Sequence, residues 1–257
     1  MGIVRKIILV ICLIIFVGAG GILGKYFYDA YQDMHKLTDL SNVAKVEDLK
    51  TDKGTIIGKY VPIWKKNEDF IGWIKIKGTK VDFPVMQTKD DPEYYLRRNF
   101  EGEYSTGGVP FIDSNSDIFK PTCNFMIYGH NMKNGTMFHD ITKYKDEDFY
   151  NEHKTIKFDT IYKGGQGTYE VVAAGKSKIY SEDDDVFKYY QYAGMTSEED
   201  FTTFVKGVKA LSNYDTGVTP KYGDQLITLS TCTNDSNDGR FFVVAVRTDA
   251  KQVKPQY

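Results

Sequence analysis

Three side chains of this sequence, spread over more than a hundred positions, supply the parts of a cysteine acyl-transfer site: the thiol of Cys232, the guanidinium of Arg240 and the imidazole of His130. A thiolate attacks carbonyl carbon, an imidazole passes protons near neutral pH, and a cation steadies developing oxyanion charge. The local sequence brings two of them together. Gln225 to Thr231 alternates and is β-prone, Thr233 to Gly239 is entirely Thr, Asn, Asp, Ser and Gly, and Arg240 to Arg247 is again strand-like. A hairpin over this stretch sets Cys232 at the end of one strand and Arg240 at the start of the next. His130 stands in Tyr128-Gly129-His130-Asn131, at the end of another strand-like run.

Short strands to position these groups recur from Phe70 onward: 72–76, 81–86, 108–112, 124–128, 155–159, 169–176, 225–231 and 241–247. Eight short strands separated by turn signals predict a closed or nearly closed barrel. One helix interrupts them between the sixth and seventh strands. Thr196 and Glu199 are spaced as a capping box, and Phe201, Phe204, Val205 and Val208 follow on one helical face.

The N-terminal part is a separate object. Arg5 and Lys6 precede Ile7 to Gly24, eighteen residues without a charge. That length suits an uncleaved membrane anchor over residues 1–24, and the preceding positive charge predicts a cytoplasmic N-terminus with the rest exported. The alternative is a cleaved signal peptide, with Val17-Gly18-Ala19 as its processing site. Leu37, Leu40, Val43, Val46 and Leu49 recur every third position, which predicts a stalk of one or two helices over 25–66. The remaining 67–257 then form the catalytic domain. At 257 residues and 41% hydrophobic content the chain can bury one sizeable core, and a net charge of −2 gives no electrostatic reason to expect nucleic acid.

Thr228-Leu229-Ser230-Thr231-Cys232 followed by an arginine, with Tyr-Gly-His-Asn upstream, resembles the sortases, cysteine transpeptidases of Gram-positive cell surfaces. The resemblance runs from about Asn67 to Arg247. Gly72-Trp73-Ile74, the run Val81 to Gln87 and the run Asn131 to Phe138 resemble class B in particular. It implies a mainly β fold: an eight-stranded sortase-type β-barrel with N-terminal helices and a helix inserted between strands six and seven. It further implies Cys232 as nucleophile, His130 as proton carrier and Arg240 as the residue holding the substrate carbonyl. Ser230 and Leu96 match substrate-contacting positions, and Tyr180 opens the insertion where it could line the same groove. No cofactor is implied. The partners implied are surface proteins bearing a C-terminal sorting signal and a peptidoglycan-precursor amine.

Each residue also has a structural reading. Cys123 and Cys232 form the only exported pair of cysteines, and an oxidising exterior favours a disulfide. Extended chain from Asn124 would, however, carry Cys123 roughly 23 Å from His130 at about 3.3 Å per residue, far beyond disulfide reach for a Cys232 that approaches that histidine. His35, His139 and His153 lie in polar segments and read as solvated surface. Asp235 and Asp238 could orient His130 but read as turn residues. No metal-ligand spacing is visible, and Glu182 to Asp185 reads as a solvated loop. Two other functions share these features: a cysteine peptidase or hydrolase that uses water, and a non-enzymatic anchored β-barrel adhesin.

Overall fold

An N-terminal helix, α1 (Ile3–Ser41), runs unbroken from the apolar segment into the polar stalk. A computed structural model describes residues 2–42, 46–119, 122–233 and 238–249. The helix is long and apolar enough to cross a membrane. Its distal end docks on the barrel: Leu37 and Leu40 are buried, and Asp33 accepts a 2.6 Å hydrogen bond from Ser105.

The expected helical stalk over 25–66 is corrected beyond Ser41. Val43 lies outside the described residues, and Leu49 stands in a hairpin of β1 (Leu49–Thr51) and β2 (Gly54–Ile56). Asp52 and Lys53 make the turn, with Thr51 opposite Gly54 at a φ of 131° that favours glycine. Spacing by three mimics a helix, yet Leu37 and Leu40 lie on α1, Val46 is exposed, and Leu49 packs on the core from a strand. Ile57 donates to the Ile161 carbonyl at 2.9 Å, joining this segment to the barrel. A single turn, α2 (Val61–Trp64), with Pro62 inside its start, leads into the main domain.

Eight strands close the barrel: β3 (Phe70–Lys75), β4 (Asp82–Met86), β5 (Phe111–Ile112), β6 (Asn124–Tyr128), β7 (Thr155–Thr160), β8 (Gln166–Lys178), β9 (Leu226–Cys232) and β10 (Gly239–Arg247). Their order around the barrel is β10-β8-β7-β3-β4-β5-β6-β9. The β4–β5 and β6–β9 pairs are parallel and the others antiparallel. β5 is shorter than its sequence suggests because Gly108 turns the chain at a φ of 57° and Pro110 has no N–H to donate. β8 is longer and carries a bulge, since Val171 pairs with Ala245 while Ala173 pairs with Val244.

Alternation sorts the strand residues into two cores. Leu229, Val243, Phe125 and Phe158 pack in the larger one, which fills the barrel. Phe242, Val244 and Met126 face the other way and are covered by α4 (Glu198–Ala210), whose Phe201, Phe204, Val205 and Val208 are buried. That helix is capped one residue later than its sequence suggested: the Ser197 hydroxyl accepts from the Asp200 N–H at 3.0 Å. A 3-10 segment (Phe138–Lys145) and a short helix, α3 (Glu147–Glu152), fill the connection between β6 and β7.

Candidate active site

The β9–β10 hairpin places Arg240 directly opposite Cys232 in antiparallel register. On the other side of β9, the parallel β6 sets Tyr128 level with Ser230. His130 follows Tyr128 by two residues, just beyond the end of β6, as Cys232 follows Ser230 by two at the end of β9. Backbone and side chain secure the alignment: Gly129 N–H donates to the Ser230 carbonyl at 3.1 Å, and the Thr231 hydroxyl donates to the Gly129 carbonyl at 2.6 Å. Gly129 has a steric reason for its identity. A Cβ there would lie 2.7 Å from the ring of Phe138.

Cys232, His130 and Arg240, all half-buried, line one open cavity of about 460 Å³. Leu96, Arg97 and Tyr190 contribute further walls. His130 Nε2 is 2.8 Å from the Leu96 carbonyl oxygen. Burial is the largest influence on the imidazole and lowers its pKa; the Arg97 charge acts the same way, while the Leu96 bond opposes both. The site therefore favours a neutral histidine. Arg240 donates to the Gly239 carbonyl at 3.0 Å and has no carboxylate partner among the described residues, so its charge is available to the cavity.

The other expected positions divide. Leu96 and Ser230 line the cavity, but the Ser230 hydroxyl already shares a 2.6 Å hydrogen bond with the buried Tyr189 hydroxyl. Tyr180 does not line it. Its N–H donates to the Tyr190 hydroxyl at 3.0 Å and its ring lies 5.0 Å from the Lys178 ammonium, so the flanking Ile179 and the hydrogen-bonded Tyr190 take the expected place. Cys123 and Cys232 are both free thiols. Cys123 is buried at the opposite end of β6, where its carbonyl accepts from Leu226, six positions before Cys232.

Among the histidines, His35 pairs with Asp39 on exposed helix and His153 stacks on Phe149. His139, read from sequence as solvated, is instead half-buried with Nδ1 2.9 Å from Asn131 Oδ1. The Asn131 amide in turn donates to the Cys232 carbonyl at 3.0 Å. Asp238 is exposed, and Asp235 lies outside the described residues. The group that orients His130 is thus a main-chain carbonyl, which leaves no trace in residue identity.

The geometry joins a thiol, an imidazole and a guanidinium without a carboxylate partner among the described residues in one cavity, and comparisons with known proteins identify the family. The family described as Sortase domain matches residues 74–248. The chain belongs to the sortase family, class B. It is 32% identical to sortase B of Listeria monocytogenes over 90% of this chain and 91% of that protein. Its fold superposes on sortase B of Bacillus anthracis, solved in complex with AAEK1, with a TM-score of 0.72 and 28% identity, over 87% of this chain and all of that one. The Staphylococcus aureus sortase B–substrate complex is similar at a TM-score of 0.66 and 30% identity, over 76% of this chain and 87% of that one. As a class B sortase the protein is a cysteine transpeptidase, and its fold is the closed mixed barrel described above.

Proposed function

We propose that this sortase cleaves a C-terminal sorting signal after threonine and transfers the freed carboxyl to a peptidoglycan-precursor amine. The observation that supports this reading is the convergence of Cys232, His130 and Arg240 on one cavity at the register-matched ends of β6, β9 and β10. Cys232 as thiolate attacks the threonine carbonyl carbon. The carbonyl π electrons move to oxygen, and the Arg240 guanidinium receives that oxyanion. Collapse breaks the C–N bond, the leaving nitrogen takes a proton from protonated His130, and a thioester remains on Cys232. An incoming amine then attacks the thioester and passes its proton to the now neutral imidazole. The C–S bond breaks, the amide forms and the thiolate is restored.

Leu96 and Ser230 are assigned to the acyl-donor wall of the cavity, and Tyr190 takes the position first given to Tyr180. Residues 1–24 act as a single-pass anchor with a cytoplasmic N-terminus, residues 25–66 as the connecting segment and 67–257 as the extracytoplasmic catalytic domain. The first twenty residues of α1 and its continuity into the docked stalk support this arrangement.

The test is incubation of the protein with a library of sorting-signal peptides, with and without amine, read by mass spectrometry. Peptides cut after threonine and converted to amides in the presence of amine support the reading. Cleavage that yields only the acid at every amine concentration would make the chain a hydrolase, and no cleavage of any peptide would refute both.

A further inference from the structure

The three residues at the site are each followed by one that faces the other way. His130, Cys232 and Arg240 line the cavity described above, whereas Asn131, Thr233 and Phe241 line a second one of about 360 Å³. Extended backbone sends successive side chains to opposite faces, so the two cavities stand back to back across the same strand ends. The second cavity differs in character. His139, Lys145 and Lys176 complete its wall, and no acidic side chain among the described residues lines it. The first, by contrast, mixes Arg97 and Arg240 with Glu93 and Asp113.

Two features of this rear cavity are unsatisfied. The Lys145 side chain is exposed and its ammonium has no ion-pair partner among the described residues. The Thr233 hydroxyl is buried without a hydrogen-bond partner among the described residues, an arrangement that costs free energy unless something else supplies the bond. An ammonium and an orphaned hydroxyl facing one space are the donors a carboxylate accepts from. The space also adjoins the nucleophile: Asn131, in its wall, donates to the Cys232 carbonyl at 3.0 Å and is itself held by His139.

A transpeptidase must bring two substrates to one sulfur atom. With the donor in the front cavity, the acceptor needs a foothold that the acyl chain does not occupy. We infer that the rear cavity is an acceptor subsite, in which Lys145 and the Thr233 hydroxyl hold a carboxylate of the amine-bearing acceptor at the strand end next to the thioester. This rests on the transfer reaction proposed above and adds the acceptor's chemical class: an amine that also carries a carboxylate.

The experiment compares two small acceptors, diglycine and glycylglycinamide, which share an α-amine and differ in the carboxylate. Full-length protein in detergent is supplied with the best donor peptide from the library, and the acceptor KM is measured for each. Because ion pairs at exposed lysines contribute modestly, diglycine should have a KM about threefold to tenfold lower than glycylglycinamide. Lys145→Glu, at an exposed position, should erase that preference or invert it. Equal KM values in the wild type, or a preference that survives Lys145→Glu, would overturn the subsite while leaving the transpeptidase reading intact. Formation of acid alone with both amines would instead overturn the transfer reaction on which it rests.

Discussion

His130 Nε2 and the carbonyl oxygen of Leu96 stand 2.8 Å apart. A carbonyl oxygen only accepts, so the contact places the ring proton on Nε2 and leaves Nδ1 as the basic nitrogen of the neutral imidazole. Leu96 therefore acts twice, as a lining residue of the cavity that Cys232 shares and, through its carbonyl, as the group that fixes the histidine tautomer. In triads built from three side chains a carboxylate does the second task. Here the ring is aligned by a neutral dipole, which stabilises an imidazolium less than a carboxylate would.

The first prediction concerns pH. Burial and the Arg97 charge lower the pKa of His130 below its ordinary value of about 6.5, against the smaller opposing effect of the Leu96 bond. In the transfer proposed above, the neutral base for the acceptor amine is then present above that lowered pKa and is lost as pH falls through it. An NMR titration of the His130 ring should have its midpoint below about 6.5, and Arg97→Gln should move it upward by removing a repulsive charge. A wild-type midpoint at or above that value would contradict the burial argument.

A second prediction separates the two thiols of the barrel strands, Cys123 beside β6 and Cys232 at the end of β9. Cys232 is half-buried in an open cavity, whereas Cys123 is 5% exposed and burial raises its pKa, so little of it is thiolate. Iodoacetamide at neutral pH should modify Cys232 in the native protein and reach Cys123 only after denaturation. Cys232→Ala should abolish cleavage while leaving the melting temperature near wild type. Peptide mass mapping before and after unfolding reads both, and residual cleavage by that variant would refute the assigned nucleophile.

Gly129 gives a third prediction. Its added Cβ would meet the Phe138 ring at 2.7 Å, and the adjoining His130 would have to move with the displaced backbone. Overpacking of this kind costs roughly 1–3 kcal/mol, and small misplacements of a catalytic group can lower rates by about a hundredfold. Gly129→Ala should thus lose activity far in excess of its loss of stability, with denaturant unfolding and turnover measured on the same preparation. Near wild-type turnover would show that the loop adapts without shifting the histidine.

What could be read from residues alone follows the range of the interactions involved. The β9–β10 hairpin was legible because alternation and a polar loop lie in one contiguous stretch, and with it the approach of Arg240 to Cys232. The apolar face of α4 was legible for the same reason, with only its cap displaced to Ser197. The β1–β2 hairpin was hidden because Leu37, Leu40 and Leu49 share a spacing of three without sharing an element. Within the site, the Leu96 carbonyl is main chain, and Tyr190 replaces Tyr180 through one hydrogen bond between two segments of the same insertion. His139 read as surface because its partner, Asn131, is brought near by the turn that ends in the Asn131–Met137 bridge.

The fourth prediction tests the role of Ser230. Its hydroxyl and that of Tyr189 are 2.6 Å apart and both residues are buried; burial pushes the Tyr189 phenol up to about 12, so it is un-ionised at working pH and either hydroxyl can donate. Tyr189→Phe leaves the buried Ser230 hydroxyl without this partner and should cost about 1–3 kcal/mol by chemical denaturation. If the pair also shapes the donor wall, the peptide KM should rise while the rate of Cys232 alkylation stays unchanged.

The last prediction concerns Arg240, which lies level with Cys232 across the hairpin and has no carboxylate partner among the described residues. Two roles are open to such a cation: stabilising the thiolate by charge, or holding the substrate oxygen through directed donors. They separate on substitution by lysine. Lysine keeps the charge but replaces a planar fork of donors with a compact ammonium on a flexible stem. The Gly239 carbonyl accepts one guanidinium N–H at 3.0 Å, which anchors the fork and leaves its other donors for the cavity. Loss of a directed oxyanion donor typically lowers turnover about 10² to 10³-fold. Arg240→Lys should therefore lose at least roughly tenfold in kcat, while Cys232 is alkylated at close to the wild-type rate because the positive charge persists. A lysine variant within about twofold of wild type in kcat would assign Arg240 to electrostatics alone, since charge is the one property the two side chains share.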